Sequence, residues 1–409
     1  MTGLLRRDSD FRLLWGSEVS GKLGAAATSV VLPLAALDAG PFRVSLLAAA
    51  TWLPWLVFGL AAGAWVDRLP RRPIMLAAAA VSLGAFVGVR AAAGAGVFGY
   101  GWLLGAALLT GVAAVFFQVA YTAYLPTLLG PDDLAEGNAK LQGSASAAQI
   151  VGQSSGGLLV QVAGPLNALL VNAGTFAVSL GCLLGIRKPE PRPVSDRRSL
   201  VGEIREGLRL VVRDPFFRAF TVYGAIANLF LMGYQTILVV FLARDVGLSS
   251  GAVGVLIAVA NVGGIVGALV ARRVADVIGT ARAALAFAVL GTLPVLLIPL
   301  TFAGVGTVLC AIGGVCTAAA VVANNVLKAS FQQRYCPPAL LGRLYATASF
   351  LALGALPLGA LAGGALASRI GVRPALWVMV AGVPVAGVVL VCSPIRRGRD
   401  LPEHAALWR

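Results

Sequence analysis

Long apolar runs recur along the whole chain, and this one feature removes most folds from consideration. A run of about 20 residues, rising 1.5 Å per residue as a helix, crosses about 30 Å of hydrocarbon. Twelve such runs are read here, at about 12–37, 44–66, 74–93, 99–125, 135–162, 165–186, 215–243, 250–271, 281–303, 305–329, 340–367 and 372–393. Hydrophobic residues make up 58% of the 409 positions and charged ones only 12%, too apolar a balance for one water-soluble core. The runs leave no room for a soluble domain. The expected fold class is an all-α membrane protein with twelve transmembrane helices. The first run is too long for a signal-peptide apolar region and is interrupted by Glu18 and Lys22. No small-residue cleavage site follows it, so it is expected to stay in the mature protein.

The formal net charge is +15, and its distribution matters more than its size. With both termini and the even-numbered turns placed inside, only Arg43, Arg90, Arg244, Arg369 and Arg373 fall outside, and Lys22 lies within a span; the rest of the 32 Lys and Arg are cytoplasmic. Such asymmetry fixes orientation. The basic excess is therefore topological and meets anionic lipid headgroups; no nucleic-acid partner is expected, because no folded module presents the charge. Cys182, Cys310, Cys316, Cys336 and Cys392 form neither a CxxC pair nor a disulfide framework, and the only histidine, His404, lies in the tail. No metal or other cofactor is expected.

Charge is densest from Arg187 to Arg218, behind a Pro-rich opening at Pro189, Pro191 and Pro193. This reads as a cytoplasmic linker. Within it Leu200, Ile204, Leu208 and Val211 recur at helical spacing opposite Glu203, Arg205, Arg209 and Arg213, which predicts an amphipathic helix on the inner membrane face. Gly59xxxGly63 returns as Gly263xxxGly267, 204 positions later, and Gly152xxxGly156-Gly157 as Gly359xxxGly363-Gly364, 207 later. Repeated offsets across several spans indicate duplication. The domains expected are a six-helix half at 1–186, the linker at 187–214, a second six-helix half at 215–395 and a cytoplasmic tail at 396–409.

The strings FRLLWGSEVSGKLG in span 1, GAWVDRLPRR after span 2, GQSSGG in span 5 and EIREGLRLVVRDPFFRAF leading into span 7 resemble the major facilitator superfamily. The likeness is to its drug:proton antiporter branch, twelve-helix exporters that include macrolide and siderophore efflux proteins, and it covers essentially the whole chain. It implies two pseudo-symmetric six-helix halves that rock about a central site lined by helices 1, 4, 7 and 10. It further implies a secondary transporter of the bacterial cytoplasmic membrane, with both termini cytoplasmic, acting as a monomer. Such a protein would export an amphiphilic or hydrophobic small molecule, a drug, antibiotic or siderophore-like compound, in exchange for protons. Uptake and lipid translocation are open on the same fold. A membrane-embedded enzyme or receptor is the reading from another class, and no convergent catalytic set supports it.

In the family, the acid of the motif after span 2 meets the N-terminus of helix 11 and latches the halves together on the cytoplasmic side. The matching residue is Asp67, with Gly63, Arg68, Arg71 and Arg72 around it, and the resemblance assigns them that latch. An anion near a helix N-terminus is stabilised by about 0.3–1 kcal/mol. Pro337-Pro338 marks such a start, and Arg343 is placed to pair with Asp67; the alternative is a set of ordinary topogenic charges. The second copy has Ala271 where the acid would stand, so only one half is expected to carry a full latch. Two departures from the family pattern are visible. Gln153 replaces the proline of the helix-5 signature, which removes the kink from a missing backbone donor, and span 4 lacks the buried arginine of many proton-coupled relatives.

Glu18 and Lys22 are read as the only ionisable residues well inside a span. Charges at that depth cost about 2.5–3.5 kcal/mol each and imply a partner or a polar cavity. Their i, i+4 spacing favours direct pairing. Removal from water favours neutral Glu18 while Lys22 favours its anion, so proton coupling and a fixed ion pair both stand open. In span 5, Gln142, Ser146, Gln149 and Gln153 fall on one helical stripe, and amides facing lipid would be expensive. Gln118, Tyr121, Tyr124, Asn228, Tyr234, Gln235, Asn261, Asn324 and Asn325 complete the candidates for a substrate cavity. Each is equally readable as interhelical hydrogen-bond glue, worth about 0.6 kcal/mol apiece. Two enzyme-like patterns carry no chemistry: Gly152-Gln-Ser154-Ser-Gly156 lacks a strand-to-helix elbow and a nearby histidine, and Gly16 to Lys22 has Leu23 where a phosphate loop needs Ser or Thr.

Overall fold

A computed structural model describes residues 4–66, 68–130, 133–188, 190 and 200–402. Those residues form helices and turns, with no strand among them. The chain divides into two compact units, Met1–Asp196 with Ser249–Ala258, and Arg197–Leu248 with Val259–Arg409.

The first unit contains α1 (Leu4–Arg7), α2 (Ser9–Ala35), α3 (Pro41–Val66), α4 (Arg71–Gly94), α5 (Tyr100–Leu128), α6 (Leu134–Ala163) and α7 (Pro165–Gly185). α2 packs on α6 and α7, α4 on α5 and α7, and α3 on α5. The second contains α8 (Leu200–Arg213), α9 (Pro215–Val240), most of α10 (Ser250–Ile278), α11 (Thr280–Ala288), α12 (Thr307–Tyr335), α13 (Pro338–Ile370), α14 (Val372–Ala386) and α15 (Val388–Val391). There α9 packs on α13 and α14.

Among the described residues, ten segments are long and apolar enough to cross a membrane. α2 and α6, with 27 and 30 residues, are as long but more polar, and they bring the spanning set to twelve. The two least apolar spans are packed against each other. That arrangement hides polar groups that lipid would penalise.

Capping chemistry explains where the first spanning helix of each unit begins. Asp8 Oδ1 accepts the N–H groups of Asp10 and Phe11, both at 2.9 Å, and 206 positions later Asp214 Oδ1 accepts those of Phe216 and Phe217 at 2.9 and 3.0 Å. An aspartate at this position satisfies helix donors that have no partner within the helix. Phe11 and Phe217, also 206 apart, are both fully buried. The repeat thus extends to side-chain geometry at a site where no glycine pattern pointed. Gly164 and Gly371 (φ 77° and 91°) hold the tight turns before α7 and α14, in a region that favours residues without a β-carbon.

The repeated glycines do unequal work. A β-carbon on Gly263 or Gly267 would strike the backbone of Val315 or Ala319 on α12, whereas one on Gly59 would meet nothing within 4 Å. In the first unit the equivalent contact instead uses Gly111 of α5, seated against Thr51 and Pro54 of α3. Gly152 and Gly156 lie against the backbone of α2, so span 5 keeps its close approach without the family's proline.

Two expected helices are interrupted. Span 9 is α11 followed by a 3-10 stretch, Leu293–Leu300, because Pro294 and Pro299 supply no N–H to an α-helical ladder. Span 12 breaks between α14 and α15 around Pro384 and Gly387. The linker helix α8 also differs from its expected placement. Gly207, Leu210 and Val211 are buried while Leu208 is exposed, and α8 packs on α13, where a β-carbon at Gly207 would run into Thr347 and Arg343.

Candidate functional site

The polar side chains of α2 divide into two faces. One is zipped to α7: Ser17 and Ser179 hydroxyls are 2.8 Å apart, Ser20 donates to the Thr175 carbonyl at 2.6 Å, and Asn172 donates to Thr28 at 2.7 Å. The other carries the charges. Lys22 Nζ lies 3.5 Å from Glu18 Oε1 and donates to Gln118 Oε1 on α5 at 2.8 Å. α2 and α5 meet at few places, so the long lysine stem spans the space between them. Glu18 is buried, whereas the Lys22 side chain keeps 39% of its surface exposed. A buried acid, a half-exposed ammonium and a neutral amide therefore form one connected group. Charge-assisted bonds of this kind are among the stronger polar contacts.

Tyr121, one turn beyond Gln118, is buried and stacks on Phe117 with ring centroids 6.4 Å apart. Tyr124, a further turn along, is packed into the core. It is 1% exposed with its hydroxyl unpartnered, inside a core with Leu128, Leu183 and Met75. The glutamine stripe of α6 is not uniform: Gln142 is exposed, Gln149 half-buried and Gln153 buried. Ser146 turns back to the Gln142 carbonyl at 3.1 Å.

In the second unit, Asn228 donates to the Ala352 carbonyl at 3.1 Å and Asn324 to that of Ala284 at 3.0 Å. Both are interhelical ties, and Asn324, 2% exposed, is enclosed by its neighbours. Tyr234 is buried, Asn261 half-buried, Gln235 exposed, and exposed Asn325 lines a cavity between α12 and α13. Lys328 lines the same cavity. The apolar run fades near 329 and so places Lys328 at the cytoplasmic rim, but α12 continues to Tyr335. Lys328 thus stands within the helix of a candidate span, one turn and more before its end.

Of the motif residues after span 2, Asp67 lies outside the described residues; Gly63 lies near the end of α3 and Arg68 is exposed. Arg71 and Arg72 start α4, where both backbone N–H groups donate to the Glu190 carboxylate at 2.8–3.2 Å. The Arg72 guanidinium binds the carbonyls of Leu183 and Leu184 at 3.0 and 2.9 Å. A cation thus sits on the C-terminal end of α7 and an anion on the N-terminal end of α4, each complementing a helix dipole. Arg343 pairs with Glu206 of α8. Sequence reasoning does not single out Glu190, because it lies among prolines; the signal available is an acid between Pro189 and Pro191 at the start of a basic linker.

Residues 15–327 match the Major Facilitator Superfamily. The multidrug efflux pump Tap of Mycolicibacterium fortuitum is 30% identical over 402 residues, covering 92% of this chain and 94% of that protein. Tap of Mycobacterium tuberculosis (strain ATCC 25618 / H37Rv) is 28% identical over 393 residues, covering 90% and 88%. Among solved structures, a D323A mutant of the nucleoside transporter NupG superposes with a TM-score of 0.78 at 12% identity, covering 94% of this chain and 99% of that one. A bacterial homologue of the iron transporter ferroportin, in its inward-facing state, gives 0.74 at 17% identity, covering 95% and 99%. At such identities the two structures speak for the fold alone. With most of its length matched by the family and its described residues folded into long apolar helices, this chain belongs to the Major Facilitator Superfamily and is a multi-pass membrane transporter.

Proposed function

We propose that the protein exports an amphiphilic or hydrophobic small molecule by alternating access, with protons moving in the opposite direction. The observation that carries this reading is the Glu18–Lys22–Gln118 group. A permanent ion pair in a spanning helix would be expected to close tightly and lose all contact with water, given what isolated charges cost there. Lys22 instead sits at 3.5 Å from its acid, holds a neutral amide at 2.8 Å and remains partly exposed. That geometry suits an acid that exchanges its proton: ionised Glu18 retains Lys22, and neutral Glu18 leaves it to Gln118. The name of the similar Tap pumps supports efflux of drugs.

The working parts follow from the sequence. Residues 1–186 and 215–395 are the moving halves, 187–214 joins them, and 396–409 is a cytoplasmic tail. The positive-inside bias puts both termini in the cytoplasm of a bacterial cell. The protein acts as a monomer, and within the first half the half-buried Gln149 is a side chain suited to line a substrate path.

Purified protein in proteoliposomes, loaded with ethidium as probe and given an imposed pH gradient, tests the reading. Gradient-driven flux that Glu18→Gln abolishes, with ethidium binding retained, is the expected result. Flux indifferent to the gradient and to Glu18 would instead mark a facilitator.

A further inference from the structure

We propose that the C-terminal half holds a site for the acidic group of an amphiphile, centred on Lys328. α12 and α13 leave an open cavity of about 240 Å³ with Asn325, Lys328, Gln332, Tyr345 and Ser349 on its walls. The Lys328 ammonium ends beside Gly224 of α9, where a β-carbon would stand 3.7 Å from Nζ. Three helices therefore surround it. Among the described residues it makes no ion pair and no hydrogen bond.

One turn further along α12, Gln332 is 1% exposed and its Nε2 has no acceptor. A buried amide donor left without a partner is costly, and a lysine without a counter-charge inside a spanning helix more so. Here two such donors, one of them charged, share a cavity wall at i and i+4, with the amide of Asn325 and the hydroxyl of Ser349 on the same cavity. What the arrangement lacks is an oxyanion. A carboxylate presents two oxygens and about four lone-pair sites, enough to engage both donors and one of the others. Ala329, Ala348, Ala352 and Leu353 complete the lining and give an apolar tail somewhere to lie.

The same chemistry fits a fatty carboxylate or a lipid phosphate monoester. Calling the ligand a transported substrate rests on the export reading above; the binding site itself does not. The test uses full-length protein in nanodiscs of phosphatidylcholine, titrated with the fluorescent acid 11-(dansylamino)undecanoic acid and with its methyl ester. Wild type is expected to prefer the acid about tenfold or more. Lys328→Gln should erase that preference while leaving ester affinity unchanged, and Lys328→Arg should retain most of it. Adding phosphatidate to the nanodiscs should compete only if lipid phosphate is the natural occupant; no competition identifies the carboxylate. Equal affinity for acid and ester, no binding of either, or a preference that survives Lys328→Gln would overturn the proposal. Export of ethidium that persists in Lys328→Gln after such a result would leave the transport reading standing, and Lys328-dependent binding without any flux would leave the site standing without it.

Discussion

The phenol of Tyr335 donates to Asp214 Oδ2 at 2.9 Å while Oδ1 of the same carboxylate caps α9. This ties the end of α12 to the start of α9. Phe216, Phe217 and Phe331 pack against the tyrosine ring, with centroids 4.8–5.8 Å from it. Asp214 is 1% exposed, so its charge is held by hydrogen bonds rather than by water.

Asp214→Ala should therefore cost more than a simple cap. Losing the cap accounts for about 0.5–2 kcal/mol, and leaving the Tyr335 hydroxyl buried without a partner for about 1–3 more. Asp8→Ala, at the equivalent place in the first unit, should cost only the cap. Thermal unfolding of the two variants in detergent, read by tryptophan fluorescence, gives the comparison, and equal losses would refute the asymmetry.

Gly263→Ala should destabilise by about 1–3 kcal/mol, since the added carbon drives α10 off Val315. Gly59→Ala faces open space and should be neutral or stabilising by about 0.5–1 kcal/mol through helix propensity. The same unfolding assay separates them.

Gln118→Leu removes the acceptor of Lys22 while preserving bulk. Transport velocity under a pH gradient is expected to fall at least fivefold, with little change in unfolding temperature. An unfolding temperature that drops along with the rate would make the amide structural.

Arg72→Ala strips the ligand from two carbonyls at the end of α7, at an expected cost of about 1–2 kcal/mol. Arg72→Lys should recover less than half, because an ammonium is a point donor and cannot match the fork of a guanidinium. Stability measured by thermal unfolding decides the order of the three proteins.

How much of this was legible beforehand depends on the physical signal each residue left. Glu18 and Lys22 stood out because charges are rare in apolar runs, and their pairing followed from i, i+4 geometry. Lys328 did not, because hydropathy fades before α12 ends and a lysine near a boundary looks topogenic. Gly59 and Gly263 share a pattern, yet only the second meets a neighbour, since the contacting small residue in the first unit lies on α5. The buried face of α8 is set by Gly207 against α13, a tertiary contact that periodicity alone cannot register. Tyr124 and Asn324 carry polar atoms suited to a cavity, and only packing reveals that neighbouring helices enclose them.

The matched aspartate caps also bear on how the chain enters the bilayer. Asp8 and Asp214 each mark the start of a first crossing, and the caps themselves reach only to the residues two and three positions ahead. Such a start can form as soon as its own segment leaves the ribosome, without waiting for the other half. Biogenesis then becomes two successive insertion events of the same kind, and a polypeptide severed ahead of Leu200 would deliver two fragments that each retain a complete starting point.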